Sequence, residues 1–156
     1  MAKMTVKGLD EFIDRLEALG RDPEETVKRV MYVGAGVVAD AIRSGVGSMP
    51  VDESKGTRRN PKRGVTGTEK SGLLAGIGIS HMQTESGKVN LAIGFNGENA
   101  NGKKNTTVMR RAESGTSYQQ KTPTVRPAVN RSKSAAMDAM QKAFKEELEN
   151  VIEGRS

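Results

Sequence analysis

Residues 97–104 carry the glycines and lysines that a phosphate-binding loop uses. Gly97 and Gly102 are separated by four residues, and Lys103 follows directly. In a nucleotide-binding P-loop, backbone N–H groups hold the phosphates and a Ser or Thr after the lysine binds magnesium. Lys104 occupies that hydroxyl position here, and Glu98 would place a negative charge beside the phosphates. We therefore interpret the segment as a solvated loop and expect no cofactor.

His81 is the only histidine, and the chain has no cysteine. A metal site would need carboxylates grouped near His81, and the sequence does not place any there. A nucleophile–histidine–acid site would need a nucleophile in a recognisable strand-to-helix turn, which is missing too. The carboxylates mostly fall on predicted helix faces, where charge pairs and capping explain them. We expect His81 to be a strand-edge residue, no metal site and no enzymatic activity.

The length of 156 residues suits a single domain with one hydrophobic core. Aromatic residues make up 3% of the chain and Trp is absent, so that core must be aliphatic and lean. A lean core in a folded chain often has its burial completed by identical neighbours. No apolar run reaches membrane-spanning length, and no secretory signal is recognisable. Without cysteines, disulfides are excluded. We expect a soluble homo-oligomer made in a reducing cytosol, with no membrane partner.

The net charge of +6 is unevenly distributed along the chain. Residues 1–50 sum to −1, whereas residues 101–133 combine eight basic residues with Glu113 alone, which gives +7. Such a block could bind nucleic acid through its phosphates. It could equally face an acidic protein surface, or be a solvated basic segment. Aromatic residues that stack on bases are almost absent from it.

Apolar periodicity predicts helices at both ends of the chain. A first helix over about residues 9–19 carries one apolar stripe, and a second runs from Pro23, with Asp22 as its N-cap, to about Ser44. Gly34 has no side chain and is unfavourable in the middle of the second helix, which indicates that a strand or another subunit approaches closely there. The last helix is predicted over about 127–152, with an apolar face formed by Met137, Met140, Phe144, Leu148 and Val151.

The middle of the chain predicts a small antiparallel sheet between loops. Residues 45–71 are interpreted as a long loop. Strands follow over Leu73–Met82 and Val89–Phe95, with Ser86-Gly87 as the turn and alternating apolar residues on one buried face. A second polar loop spans about 96–106, and a short helix lies around Thr107–Glu113. The fold class is therefore α+β, with residues 1–156 as one domain and loops 45–71 and 96–106 flexible.

The segment Glu113-Ser114-Gly115-Thr116 is followed by Pro123 and then by Arg126-Pro127-Ala128. Pro127 suits the first position of a helix, and a residue before proline is pushed toward an extended conformation. One hypothesis is that Glu113 and Arg126 pair and so clamp the ends of the intervening loop, within one subunit or between neighbours. The alternative is that both are solvated and the pair contributes under about 1 kcal/mol. The candidates for a subunit interface are Glu113, Gly115, Thr116, Pro123, Arg126, Pro127 and Gly34.

These motifs resemble a known family. The opening Val6-Lys7-Gly8-Leu9-Asp10-Glu11-Phe12 with Leu16-Glu17-Ala18-Leu19, the Ala-, Gly- and Val-rich second helix, and the late acid-x-Gly-Thr and Arg-Pro-Ala motifs are similar to the gene-product-ten family of lambdoid siphophages. These are phage tail-completion proteins that join tail to head. An aromatic residue is usual in the family near Val125, and bulky residues often precede the Glu, where this chain has Arg110-Arg111-Ala112.

The resemblance implies helices packed on a curved antiparallel sheet and a structural virion protein in the tail or neck, assembled in the host cytoplasm. Copies would form a ring, expected to be a hexamer, that contacts the tail tube protein and the connector or head-completion (stopper) ring around the genomic DNA. Six basic residues are then candidates for the DNA channel or the partner ring: Arg58, Arg59, Lys62, Arg63, Lys103 and Lys104. The alternative function is a basic nucleic-acid-binding module of phage or bacterial origin.

Overall fold

The computed structural model describes residues 2–6, 14, 17–18, 20, 22–85 and 88–152. Within these ranges, four helices and six strands follow in chain order: β1 (Ala2–Val6), α1 (Pro23–Gly47), β2 (Lys62–Arg63), α2 (Gly67–Gly76), β3 (Ile77–Ile79), β4 (Gln83–Glu85), β5 (Lys88–Phe95), α3 (Asn105–Ser114), β6 (Gln119–Gln120) and α4 (Val125–Ile152). The predicted α+β class is confirmed.

Strand β5 is the centre of the main sheet. It pairs antiparallel with β1 on one side and with β3 and β4 on the other. Its alternating residues Val89, Leu91, Ile93 and Phe95 are buried, as the sequence predicts. Strand β1 was not predicted from the sequence. It lies at one edge of the sheet, and β2 and β6 form a separate parallel pair.

Helix α1 begins as predicted, because the Asp22 side chain accepts the N–H of Glu24 and Pro23 takes a first-turn position. It extends to Gly47, three residues beyond the predicted end. Its buried residues form the core together with the inner face of β5. The predicted helix over 9–19 lies outside the described residues, apart from Asp14, Glu17 and Ala18, which are helical.

Helix α2 corrects two predictions. Residues 45–71 are not one long loop, and Leu73–Met82 is not one strand, because residues from Gly67 to Gly76 are helical. The cause is a capping box: the Thr66 side chain accepts the N–H of Glu69, and the Glu69 carboxylate accepts the N–H of Thr66. Of the predicted strand Leu73–Met82, only Ile77–Ile79 (β3) is a strand, and β4 follows at Gln83–Glu85. The predicted turn at 86–87 lies outside the described residues.

Helices α1 and α4 pack antiparallel. Ala35 and Ala39 on α1 and Ala128, Ser132 and Ala136 on α4 are buried, and such small side chains allow the two helices to approach closely. The predicted apolar face of α4 is wrong at Met137, whose side chain is 53% exposed. The buried face instead follows the small residues at positions 128, 132 and 136. None of the described helices is long and apolar enough to span a membrane.

Gly34 lies where β1 and α4 both reach α1. A Cβ atom at this position would lie 2.5 Å from the Met140 sulfur and 2.8 Å from the Met4 methyl carbon. The close approach that the sequence predicted at Gly34 therefore occurs within one chain, and it includes a strand.

Gly34→Leu should lower the free energy of unfolding by about 1–3 kcal/mol, because the new side chain must displace Met140 and Met4. Urea denaturation measures the change. Gly36→Leu is the matched control, since a Cβ there meets no atom of the described residues within 4 Å. The control should be neutral, or more stable by up to about 1 kcal/mol. Equal losses in both variants would contradict the packing.

Candidate functional site

The start of α4 is held by one carboxylate. The backbone N–H groups of Thr124, Val125 and Arg126 donate to the Glu113 side chain at 2.7, 3.0 and 2.9 Å. Pro127 has no N–H, and the N–H of Ala128 donates to the Thr124 carbonyl. Every N–H group of the first turn is therefore either satisfied or absent. A carboxylate is well suited to this position because helix N-termini carry partial positive charge.

Within one subunit, Glu113 and Arg126 do not pair through their side chains. Glu113 does join the two ends of the Gly115–Thr124 loop, but it binds the backbone of Arg126 rather than its guanidinium. No ion pair among the described residues involves Arg126, whose side chain is exposed. Arg126 is also helical rather than extended, because α4 starts at Val125.

The loop between these ends is closed by its own backbone. Gly115 has a φ of +76°, which favours glycine, and its N–H donates to the Arg111 carbonyl at 2.8 Å. Thr116 forms an isolated bridge with Gln119, whose buried side chain donates to the Gly64 carbonyl at 2.9 Å. Pro123 is exposed. The structure thus brings Glu113, Gly115 and Thr116 into one turn at the end of α3, far from Gly34 in the middle of α1.

A second carboxylate, Glu69, is buried among three cations. Its oxygens lie 2.6 Å from Arg111, 3.5 Å from Lys103 and 3.6 Å from Lys62. Burial alone would raise the pKa of the Glu69 carboxyl. The hydrogen bonds from the Thr66 backbone and the Arg111 side chain, with the charges of Arg111 and Lys62, outweigh it and lower that pKa to about 2.

This cluster changes the interpretation of two predicted channel residues. Lys62 is only 9% exposed and its ammonium group faces Glu69, so it is not a free surface cation. Lys103 remains exposed, but its ammonium group also contacts Glu69. Glu69 is not among the residues that the sequence predicts for a functional site. The Thr66-x-x-Glu69 spacing was the available signal for its capping role, whereas its three cationic partners come from separate segments.

Arg58, Arg59 and Arg63 are exposed, and none makes an ion pair with a described residue. The nearby acids are bound to backbone N–H groups instead: Asp52 accepts those of Ser54 and Arg63, and Glu53 accepts that of Gly67. Hydrogen bonds to Ser54 and to the Arg63 backbone lower the pKa of Asp52 to about 2. The acids are thus satisfied locally while the arginines are left unpaired.

Residues 58–63, which carry these arginines, contact the turn that follows α3. The guanidinium of Arg58 lies 6.0 Å from the centre of the Tyr118 ring, at the edge of cation–π range. The N–H of Lys62 donates to the Tyr118 carbonyl at 3.0 Å, and β2 pairs with β6. We refer to the exposed side chains of Arg58, Arg59 and Arg63 as the basic face. Lys104 is exposed as well, directly before α3.

His81 is exposed between β3 and β4. Among the residues that the structure describes, no group of three or more His, Cys, Asp or Glu side chains is placed to hold a metal ion.

Comparison with protein families identifies the family to which the chain belongs. Residues 10–102 match the HK97-gp10-like family, described as "Bacteriophage HK97-gp10, putative tail-component". The match contains Glu69 and the basic face, whereas Glu113 and Arg126 lie beyond it. No curated protein and no solved structure matches the chain.

Glu113→Ala should lower the free energy of unfolding by about 1–3 kcal/mol, because three N–H donors lose their acceptor. Thermal and urea unfolding followed by circular dichroism measure the loss. Arg126→Ala is the matched variant and should change stability by less than about 0.5 kcal/mol, since the Arg126 side chain is exposed and unpaired. If Arg126→Ala cost as much as Glu113→Ala, a side-chain ion pair would be indicated after all.

Acid should destabilise the fold partly through Glu69. Its pKa is about 2 in the folded protein against an ordinary value of 4.5, so its contribution is complete above pH 4.5 and disappears as the pH falls through 2. The stability difference between the wild type and Glu69→Gln should shrink by about 3 kcal/mol over this range. Urea titrations at each pH measure it. A difference that is constant with pH would contradict the assignment, and the exposed Glu149→Gln should give a smaller change.

Proposed function

Because the chain belongs to the HK97-gp10-like family of bacteriophage tail components, we propose that it forms a ring at the head-proximal end of a long-tailed phage tail. The ring completes the tail and joins it to the head connector around the DNA channel. Its partners are further copies of the chain, the tail tube protein and the connector or head-completion ring. This role requires binding surfaces and no catalysis.

The observation that supports this proposal is the separation of charges around the basic face. Asp52 and Glu53 accept backbone N–H groups and pair with none of the arginines, and residues 52–63 carry five bases against these two acids, so the segment has a net charge of +3. A surface of one sign attracts the phosphates of a passing DNA or an acidic neighbouring ring. Because β2–β6 pairing and the Glu69 cluster already order the segment, less conformational entropy is lost on binding.

The alternative, a basic nucleic-acid-binding module, would use the same arginines in an isolated subunit. Membership in a family of tail components favours the assembly role. The two functions differ in what an isolated subunit does. A nucleic-acid-binding module should bind duplex DNA tightly, with an affinity that falls steeply as salt rises. An assembly protein should bind DNA weakly before the ring has formed.

The function itself is tested by removing the gene from its phage. Infected cells should then accumulate separate heads and tails, and the protein supplied in trans should restore joined particles, counted by electron microscopy. Normal joining without the protein would overturn the proposal.

Neutralising the basic face should impair joining without unfolding the protein. The triple variant Arg58→Gln, Arg59→Gln and Arg63→Gln removes three exposed charges, whereas Lys62 is left intact because it is buried. Complementation should fall at least about tenfold and depend on ionic strength. The matched control replaces three exposed lysines elsewhere, Lys88, Lys121 and Lys133, with Gln. Equal complementation by both triple variants would exclude a role for the basic face.

A further inference from the structure

A groove of about 520 Å³ opens between β1, the end of β5, α3 and the start of α4. Its floor is apolar and includes Phe95, Met109 and Val125, which are all buried. Its rim carries three exposed cations, Lys3, Arg110 and Arg126. The groove therefore combines an apolar base with a positive border, a pattern that suits an amphipathic protein element with acidic flanks.

Among the described residues, the cations of this rim have no acidic partner. Glu113 is the one acidic side chain in the lining, and its oxygens are already occupied by the three N–H groups at the start of α4. None of the three rim cations forms an ion pair with a described residue. The groove therefore retains net positive charge.

The opposite charge lies at the other end of the same molecule. Arg29 near the start of α1 contacts Glu147 near the end of α4, whereas a Cβ at Gly45 would lie 3.0 Å from the Thr124 side chain at the start of α4. The helices are thus antiparallel, and residues 126 and 147 are about 30 Å apart along α4. Residues 22–29 and 145–150 together carry six acids and three bases, and we call them the acidic end.

The acidic end also contains an apolar side chain, Leu148, that can contact the apolar floor of the groove. Leu148 is only partly buried, and it lies between Glu147 and Glu149 in the sequence. Glu146 and Glu149 are exposed. The last described turns of α4 thus combine an accessible leucine with carboxylates, which complements an apolar floor inside a basic rim.

We propose that the groove receives the acidic end of a second copy of this chain. The occupant is identified as another copy because one molecule carries both complementary surfaces at opposite ends. Such a contact is head-to-tail, and a head-to-tail contact forms a closed ring when its rotation closes. The inference deepens the proposed function and rests on it, since it names the surfaces through which neighbours in the ring meet.

Paired charge reversals test this contact. The groove variant Arg110→Glu with Arg126→Glu should weaken self-association at least about tenfold, because like charges then face each other. The end variant Glu146→Lys with Glu149→Lys should do the same. The variant with all four changes should recover assembly, because the signs are complementary again. Light scattering measures the mass, and circular dichroism confirms that each variant is folded.

Two further variants separate the effect of the contact from the effect of net charge. Lys55→Glu with Lys88→Glu changes the same amount of charge outside both surfaces and should leave the mass unchanged. Arg110→Gln with Arg126→Gln should weaken assembly less than the reversal does. The contact is overturned if both reversals still assemble, or if the fourfold variant stays folded and monomeric. Loss of assembly in the wild type would instead contradict the proposed ring function itself.

Discussion

The C-terminal part of the fold depends on the hydrogen bonds that the Glu113 carboxylate accepts. It binds three backbone N–H groups and so fixes where α3 ends, how the 115–124 loop closes and where α4 begins. The antiparallel packing of α4 on α1 follows from that starting point, because the buried small residues of α4 then face those of α1. A glutamine could accept fewer of these bonds, and it would lack the charge that favours a helix N-terminus.

The same use of carboxylates explains the surface charge. Glu113, Glu69, Asp52 and Glu53 all bind groups inside their own subunit. Arg58, Arg59, Arg63 and Arg126 form no ion pair with a described residue, and this part of the surface is positive. At the far end of the α1–α4 pair, the acidic end carries six acids against three bases, and its Glu146 and Glu149 are exposed. The fold thus separates its charges along one axis, and this separation supports both the role of the basic face and the head-to-tail contact between copies.

Local signals in the sequence predicted the elements that they control. Asp22 and Pro23 gave the start of α1, and strict alternation gave β5. Helix α2 was not predicted, because Leu73 and the two isoleucines after it fit a strand as well as a helix end. The local signal for this helix is the capping box that begins at Thr66. The hydrogen-bond partners of Glu113 could not be predicted, because they are backbone N–H groups rather than side chains. The Glu69 cluster depends on Lys62, Lys103 and Arg111 meeting in space, which spacing along the chain does not reveal.

Electron cryomicroscopy of the purified protein tests the central claim most directly, because it shows how neighbouring copies meet. The account predicts closed rings in which the last turns of α4 of each copy lie against Arg110 and Arg126 of the next copy. Particles that remain monomeric at all concentrations, or that pair symmetrically through identical surfaces, would contradict it.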